Sequence, residues 1–283
     1  MKWPTATQAV IAAVTAGLAA LVLRRSRPTR LGDVMLPAAT EFALVAALYS
    51  VWRMAKKLPL TQSEGAVERA RQIVRFQDFL HLPRELSVQQ FALAHDQVGW
   101  LSTAYYGAAH VPATIIFLIW LFVRHRDKYP HWRNALAILT GFCLLIRFVH
   151  VAPPRFLTDL GYIDLSSVYG MSVYGPVGTG VSGQFVAMPS LHVAWAGVVT
   201  FGVIATSTSR WRYLILLHLV GTLFVVAATG HHWWLDGIVA LGLLWVALRI
   251  DTVSRRILAS RQVMPGLTAG SFDSEVVSAA ASD

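Results

Sequence analysis

Cysteine, charge and acidic residues are all scarce in this sequence. The single Cys143 excludes a disulfide within the chain, so cysteine usage says nothing about compartment. Charged residues make up 14% of the 283 positions, against about 25% in an ordinary soluble domain. That shortage excludes a conventional solvated surface around most of the chain. Acids are outnumbered by bases, 15 to 24, and the net charge is +9. An excess of this kind invites a nucleic-acid reading. Here the bases sit between apolar blocks, as in "RRSRPTR" (24–30) and "RHRDKYPHWR" (124–133). That placement signals membrane topology and argues against nucleic acid as a partner. No internal repeat is visible.

What the chain does have is apolar length, with 55% hydrophobic residues and ten Trp. Seven apolar runs, at about 6–23, 33–53, 102–123, 134–151, 187–207, 213–230 and 235–250, each approach the ~20 residues that cross a bilayer. The expected fold class is all-α, a polytopic membrane helix bundle. Residues 1–32 read as an N-terminal span with a basic loop. Basic residues rather than a small-residue cleavage site follow that span, which favours an uncleaved anchor. Residues 33–262 read as the membrane domain. The tail 263–283, rich in Ala, Ser, Gly and Asp, reads as disordered.

The segment 54–101 is not a span. "GAVERARQIVRFQDFLHLPRELSVQQFAL" mixes charged and apolar residues at helical spacing, with Ile73, Phe76, Phe79 and Leu80 on one face. It is expected to form one or two amphipathic helices, lying on the membrane surface or packed on the spans. The loops joining spans 1–2, 3–4 and 5–6 hold four, four and two Lys or Arg, whereas the 4–5 loop holds only Arg155 and the 6–7 loop none. The positive-inside rule then puts the 4–5 and 6–7 loops on the extracytoplasmic side.

Ionisable residues in or beside spans are costly, and are functional candidates for that reason. Span 4 ends in "IRFVHVAPPRF", with Arg147, His150 and Arg155. Span 5 begins with "AMPSLHVAW", with Ser190 and His192. Spans 6 and 7 meet at "TGHHWWLDG", with His231, His232 and Asp236. Chain direction alone places the three stretches at one membrane face. His232 and Asp236 are four apart, so on a helix the carboxylate can accept a hydrogen bond from one ring nitrogen and leave the other nucleophilic. His192 could hold a proton, and Arg147 and Arg155 could bind an anion. Two imidazoles, a carboxylate, arginines and helix amino ends suit phosphoryl transfer. Blander roles exist: His231 as an interfacial neighbour, Trp233 and Trp234 as belt aromatics, Arg147 paired with Glu41 or snorkelling, and His110 and His218 as packing or hydrogen-bonding residues.

Two rivals come from other classes. "GVSG" (180–183) matches the rhomboid protease pattern, with Ser182 as nucleophile. A haem-binding or transport protein would use His110 and His218 facing each other within the spans.

The motifs resemble the type-2 phosphatidic acid phosphatase superfamily. Its three motifs are Lys-x6-Arg-Pro, Pro-Ser-Gly-His and Ser-Arg-x5-His-x3-Asp. Here "PSLH" (189–192) stands for the second and "HWWLD" (232–236) keeps the spacing of the third. The resemblance runs from about 134 to 240. It implies a six-helix phosphatase-type core plus one extra N-terminal span. It implies His232 as the nucleophile forming a phosphohistidine, Asp236 as its orienting partner and His192 as the general acid. Ser190, with Arg155, Arg147 and His231, would bind substrate phosphate. No metal or organic cofactor is implied; the partners are a phosphorylated lipid, a polyol or lipid acceptor, and the membrane. The sequence departs from the pattern at Leu191, at Val226 where the third motif has Arg, and in the first motif, where no Lys precedes "APPR" (152–155). "APPR", "PSLH" and the double His resemble the branch containing inositol phosphorylceramide synthases, which transfers a phospho-headgroup. The alternative is a plain lipid-phosphate or isoprenyl-diphosphate phosphatase. The loop 152–186, with Tyr162, Tyr169 and Tyr174, is expected to cover the site.

Overall fold

The computed structural model describes residues 4–25, 30–55, 65–171 and 184–263. Ser182, Tyr174 and the tail beyond 263 lie outside the described residues. Among those described, the chain is all-α with no strand. The helices are α1 (Ala6–Arg25), α2 (Arg30–Ala55), α3 (Ala66–Phe79), α4 (Glu85–Ala94), α5 (Asp96–Ala108), α6 (His110–Arg124), α7 (Tyr129–Ile146), α8 (Leu165–Val168), α9 (Leu191–Thr206), α10 (Leu216–Ala228) and α11 (Trp234–Val263). Four stretches are long and apolar enough to cross a membrane alone: Ala6–Arg25, Gly32–Met54, Arg210–Ala228 and Trp234–Ser260. The chain is therefore an integral, multi-pass membrane protein.

Span 3 is broken. α5 and α6 meet at 50°. Pro112 has no N–H to give the Ala108 carbonyl, and its ring crowds that turn, so the helix bends where His110 enters the core. α7, α9, α10 and α11 pack with α6 around a core containing Phe117, Leu139, Val198 and Leu244. Small residues allow the close approaches. A Cβ on Gly197 would meet Leu241 Cδ2 at 2.8 Å, and one on Gly202 would meet the Phe117 ring edge at 2.2 Å.

α1 and α2 pair with each other and turn Ile11, Leu18, Val22, Phe42 and Val51 outward. Such an apolar exterior suits lipid. Arg133 on α7 forms the ion pair with Glu41 on α2. This corrects the expected Arg147–Glu41 pair: the basic loop at the α7 amino end, and not the far end, meets Glu41. At that same end His131, Asn134 and Arg255 converge on buried Asp251 and fasten α7 to α11.

α3 is an amphipathic helix, but Ile73 does not share the outward face of Phe76, Phe79 and Leu80. Its buried residues are Ala66, Ala70, Ile73 and Gln77, whereas Phe76, Phe79 and Leu80 are exposed. The i, i+4, i+7, i+11 stripe of small and polar residues lies on the protein, so the larger apolar residues point away from it. α4 packs against α10.

Candidate functional site

Three backbone segments frame the site. Residues 150–153 form an extended strip after α7, and Pro154–Phe156 close it with a 3-10 turn that carries Arg155. Val151 N–H donates to the Phe185 carbonyl at 2.8 Å, and Ala187 N–H donates to the Val151 carbonyl at 3.1 Å. Trp233 Nε1–H donates to the Ala152 carbonyl at 2.9 Å, and Arg155 N–H to the Gly230 carbonyl at 3.0 Å. The strip thereby binds the approach to α9 and the turn between α10 and α11. Gly230 has φ 70° and faces the Ile163 carbonyl and Gln89, so a side chain there would be both strained and obstructed.

α9 begins at Leu191, later than the expected start at 187. Ser190 is its N-cap and Pro189 lies outside it. The Ser190 hydroxyl accepts the Val193 N–H at 3.3 Å, and its own N–H donates to the Asp236 backbone carbonyl at 3.3 Å. Ser190 thus joins the amino ends of α9 and α11 while fully buried.

His232 sits immediately before α11. Its Nδ1 is 2.6 Å from the Ala187 carbonyl and 3.4 Å from Asp236 Oδ2. A carbonyl can only accept, so Nδ1 carries the proton and Nε2 of the neutral ring is the bare nitrogen. The Asp236 carboxylate divides its work. Oδ2 accepts the Trp233 N–H at 2.8 Å, an N3 side chain reaching back to the N-cap, while Oδ1 has no hydrogen bond among the described residues. The tautomer therefore rests on a backbone carbonyl as well as on the carboxylate expected to fix it.

The next two N–H groups of α11 are met from outside the three motif stretches. Trp234 N–H donates to Glu85 Oε1 at 2.7 Å, and Leu235 N–H to Gln77 Oε1 at 2.9 Å. Gln77 Nε2 donates to Glu85 Oε1 at 2.9 Å. A helix start leaves these donors without intrahelical partners, so this buried pair completes the amino end of the helix that carries Asp236. Burial raises the Glu85 carboxyl above its ordinary value, opposed by the bonds from Trp234 and Gln77. Gln89 on α4 bonds Ile163 at both its N–H and carbonyl, and also the Ala228 carbonyl.

Aromatic and imidazole rings fill the space inward. Tyr106 on α5 lies between His192, at 4.2 Å between centroids, and His231, stacked at 4.3 Å. The His192 and His232 rings are 5.7 Å apart. His110 meets His192 edge-on at 4.8 Å and shares a hydrogen bond with Thr222 Oγ1 at 3.2 Å. His218 lies 5.9 Å from His110 and shares a 2.5 Å hydrogen bond with the Tyr105 hydroxyl. His110 and His218, expected as packing or hydrogen-bonding residues, are both hydrogen-bonded and also continue the site's own ring cluster. Among the described residues no group of three or more His, Cys, Asp or Glu is placed to hold a metal ion.

The structure thus brings Ser190, His192, His231, His232 and Asp236 together. Arg155 joins them: its charge acts on His231, whose ring is held well below its usual value first by burial and then by Arg155 and His232. Arg155 Nε also lies 3.6 Å from Asp164 Oδ2, the N-cap of α8. Arg147 is buried in the turn after α7, where its charge and that of Arg69 act on His150. Of the loop 152–186, Tyr162 reaches Glu85 at 3.4 Å and Tyr169 reaches Asp96 at 3.3 Å. Sequence reading missed Gln77, Glu85, Gln89 and Tyr106. The one available signal was polar residues on the face of α3 and α4 that also carries Ala66, Ala70 and Ala92.

A family model described as the PAP2 superfamily matches residues 71–250, more than half of the chain. Nothing matches among curated proteins or among solved structures.

Proposed function

Because the chain belongs to the PAP2 superfamily, the type-2 phosphatidic acid phosphatases, which supports a lipid phosphatase-type activity, we propose that it works through a phosphohistidine on His232. The observation that carries this reading is the 2.6 Å hydrogen bond from His232 Nδ1 to the Ala187 carbonyl, which leaves Nε2 as the available lone pair. In the first step Nε2 attacks phosphorus, the bond from phosphorus to the leaving oxygen breaks, and His192 gives that oxygen its proton. In the second step a hydroxyl attacks the phosphohistidine, the phosphorus–nitrogen bond breaks, and His192 takes the proton back. Arg155 balances the charge on the phosphoryl oxygens, and Asp236 steadies the His232 ring. Ser190 holds the two helix amino ends beside the phosphate, and His231 presents a neutral ring there.

The attacking hydroxyl belongs to water or to a polyol or lipid acceptor. "APPR", "PSLH" and the double His favour the acceptor, through the resemblance to the inositol phosphorylceramide synthase-like branch. Hydrolysis alone is the alternative. The distribution of basic loops supports a site on the extracytoplasmic face.

The test is to incubate the purified protein with a panel of lipid phosphates, with and without polyols, and to measure both free phosphate and phospho-polyol. Transfer that grows at the expense of free phosphate supports the acceptor reading. Phosphate release indifferent to every acceptor supports hydrolysis. Absence of acid-labile phosphate on His232 during turnover would overturn the phosphohistidine.

A further inference from the structure

A proton donor is effective only while its ring is held at one angle to the leaving oxygen. His192, which carries that proton in the proposed mechanism, is bounded by two rings from the broken span. The Tyr106 ring lies 4.2 Å from it between centroids, at an interplanar angle of 34°, and His110 lies 4.8 Å away at 78°. One neighbour is laid along the imidazole and the other is set across it. Rings prefer offset and edge-on contacts of these kinds, so together they define a tilt for His192.

Both neighbours are themselves fixed. Tyr106 and His110 are 3% and 4% exposed. They stand four residues apart, on either side of the 50° bend between α5 and α6, a spacing that sets side chains on one helix face. Tyr106 is also stacked on His231, at 4.3 Å and 24°. His110 is pinned by a hydrogen bond whose direction can be read. The Thr222 hydroxyl donates to the His218 carbonyl at 2.7 Å, which uses its one proton. Toward His110 Nε2, at 3.2 Å, the same oxygen therefore accepts. The His110 Nε2–H is committed to α10 and is not offered to His192. Tyr105 closes edge-on against His110 at 5.3 Å. His110 is thus built as a placed ring rather than as a second acid acting through Nε2.

We propose that Tyr106 and His110 are positioning residues for His192, with Thr222 as the anchor of His110. They hold the His192 N–H toward the leaving oxygen in the first step, and its lone pair toward the incoming hydroxyl in the second. This rests on the reading of His192 as general acid. It also gives the break in span 3 a purpose, since the bend lies between the two rings that serve the site.

Changing the leaving group separates proton donation from packing. When the bond from phosphorus to oxygen breaks, the electron pair stays on oxygen. The alkoxide from dodecyl phosphate needs a proton as it departs, whereas p-nitrophenolate spreads the charge into its ring and leaves without one. Single-turnover rates for dodecyl phosphate and p-nitrophenyl phosphate are measured on the full chain in detergent, and their ratio is the readout. A variant that merely loosens the core slows both esters together and does not move the ratio. His192→Ala should lower the alkyl-to-aryl ratio about 10²–10⁴-fold. Tyr106→Leu and His110→Leu should each lower it about 10- to 100-fold, the cost of a misplaced catalytic group. Tyr106→Phe keeps the ring and should recover most of the loss seen in Tyr106→Leu. Thr222→Val removes the acceptor of His110 with little change of shape and should lower the ratio in the same direction. It decides the matter if the leucine variants do not fold, and an unmoved ratio there would then overturn the proposal. A ratio that falls in His192→Ala and in neither leucine variant overturns the positioning role and leaves the general acid standing. A ratio unmoved in His192→Ala removes the general acid itself, and the positioning role with it. A wild type that turns over neither ester removes the phosphatase reading on which both depend.

Discussion

His232 and Ala187 are joined by a 2.6 Å hydrogen bond in which the imidazole Nδ1–H donates to a backbone carbonyl. A carbonyl cannot donate, so the bond selects one tautomer without help from any titrating group. Nε2 is then the ring nitrogen with an available lone pair. Replacing His232 with Ala should lower kcat by about four orders of magnitude or more, the loss expected when a covalent nucleophile is removed. Single-turnover release of phosphate from a lipid phosphate measures it. Retention of more than a hundredth of wild-type kcat would mean another residue carries the phosphoryl group.

Asp236 should matter less than the third member of a usual triad. There, loss of the carboxylate costs about 10⁴ because the tautomer is lost. Here the Ala187 carbonyl holds the tautomer independently, and the carboxylate stands further away, at 3.4 Å. Asp236→Asn should therefore lower kcat about 10- to 100-fold, the usual size for an orienting partner. Its side-chain oxygen can still accept the Trp233 N–H, so the thermal midpoint should move little. Asp236→Ala loses that cap as well and should cost about 1 kcal/mol of stability besides. Steady-state kinetics and thermal melts on the two variants separate these effects.

How much of this was readable in advance depends on the kind of information each feature carries. Spans are read from local apolar length, and the order of His192, His232 and Asp236 fixes a common face because the chain must reverse at each crossing. The α3 segment was harder. Its charge alternation signals an amphipathic helix, but periodicity does not say which stripe meets protein. Ala66, Ala70 and Ile73 turn inward onto an apolar cluster with Val151, Leu157 and Trp233, and Gln77 on the same stripe accepts the Leu235 N–H. The Glu85–Trp234 bond spans 149 residues, and no local pattern encodes it. The same holds for Arg133, which meets Glu41 across 92 residues. Tyr106 is one aromatic among several in the spans, and nothing local to it shows that it lies between two imidazoles.

Glu85 is expected to act through the frame. Glu85→Ala strands the Trp234 N–H and Gln77 Nε2, two buried donors at about 1–3 kcal/mol each. The variant should lose roughly 2–6 kcal/mol and melt several degrees lower. Glu85→Gln retains an acceptor and removes the burial cost of the charge, so it should be at least as stable as wild type at pH 7. A carboxyl held above its ordinary value binds its proton more tightly folded than unfolded. Its contribution to stability therefore falls as pH rises through the raised value. That fall should be absent in Glu85→Gln. Thermal midpoints of wild type and both variants across the acidic range test the assignment, and an alanine variant as stable as wild type would refute it.

Gly202 tests the packing of α9 on α6. A side chain at this position runs into the Phe117 ring, which is itself buried. Gly202→Val should destabilise by about 1–3 kcal/mol through overpacking. Gly221, where an added Cβ meets nothing within 4 Å, is the matched control, and Gly221→Ala should be neutral or slightly stabilising. Melting temperatures of the two variants in one detergent give the comparison; similar shifts would mean that α9 and α6 do not approach as described.

His231 gives the site a signature in pH. Its ring is buried against Tyr106 and faces Arg155 and His232, so it is held neutral, well below the ordinary 6.5. A histidine depressed in this way binds fewer protons folded than unfolded. Stability from this group is complete above about pH 6.5 and declines as pH falls below it, by up to about 1.4 kcal/mol per pH unit. Arg155 enforces the sign, because protonation would set two positive charges together in a water-poor site. The thermal midpoint should therefore drop between pH 7 and pH 5, and the drop should be smaller in His231→Gln, which cannot take up the proton. Arg155→Gln relieves part of the same penalty, and should also flatten the profile while weakening phosphate binding. A wild-type profile that is flat over this range, or one that His231→Gln leaves unchanged, would show that the imidazole reaches water or a compensating anion.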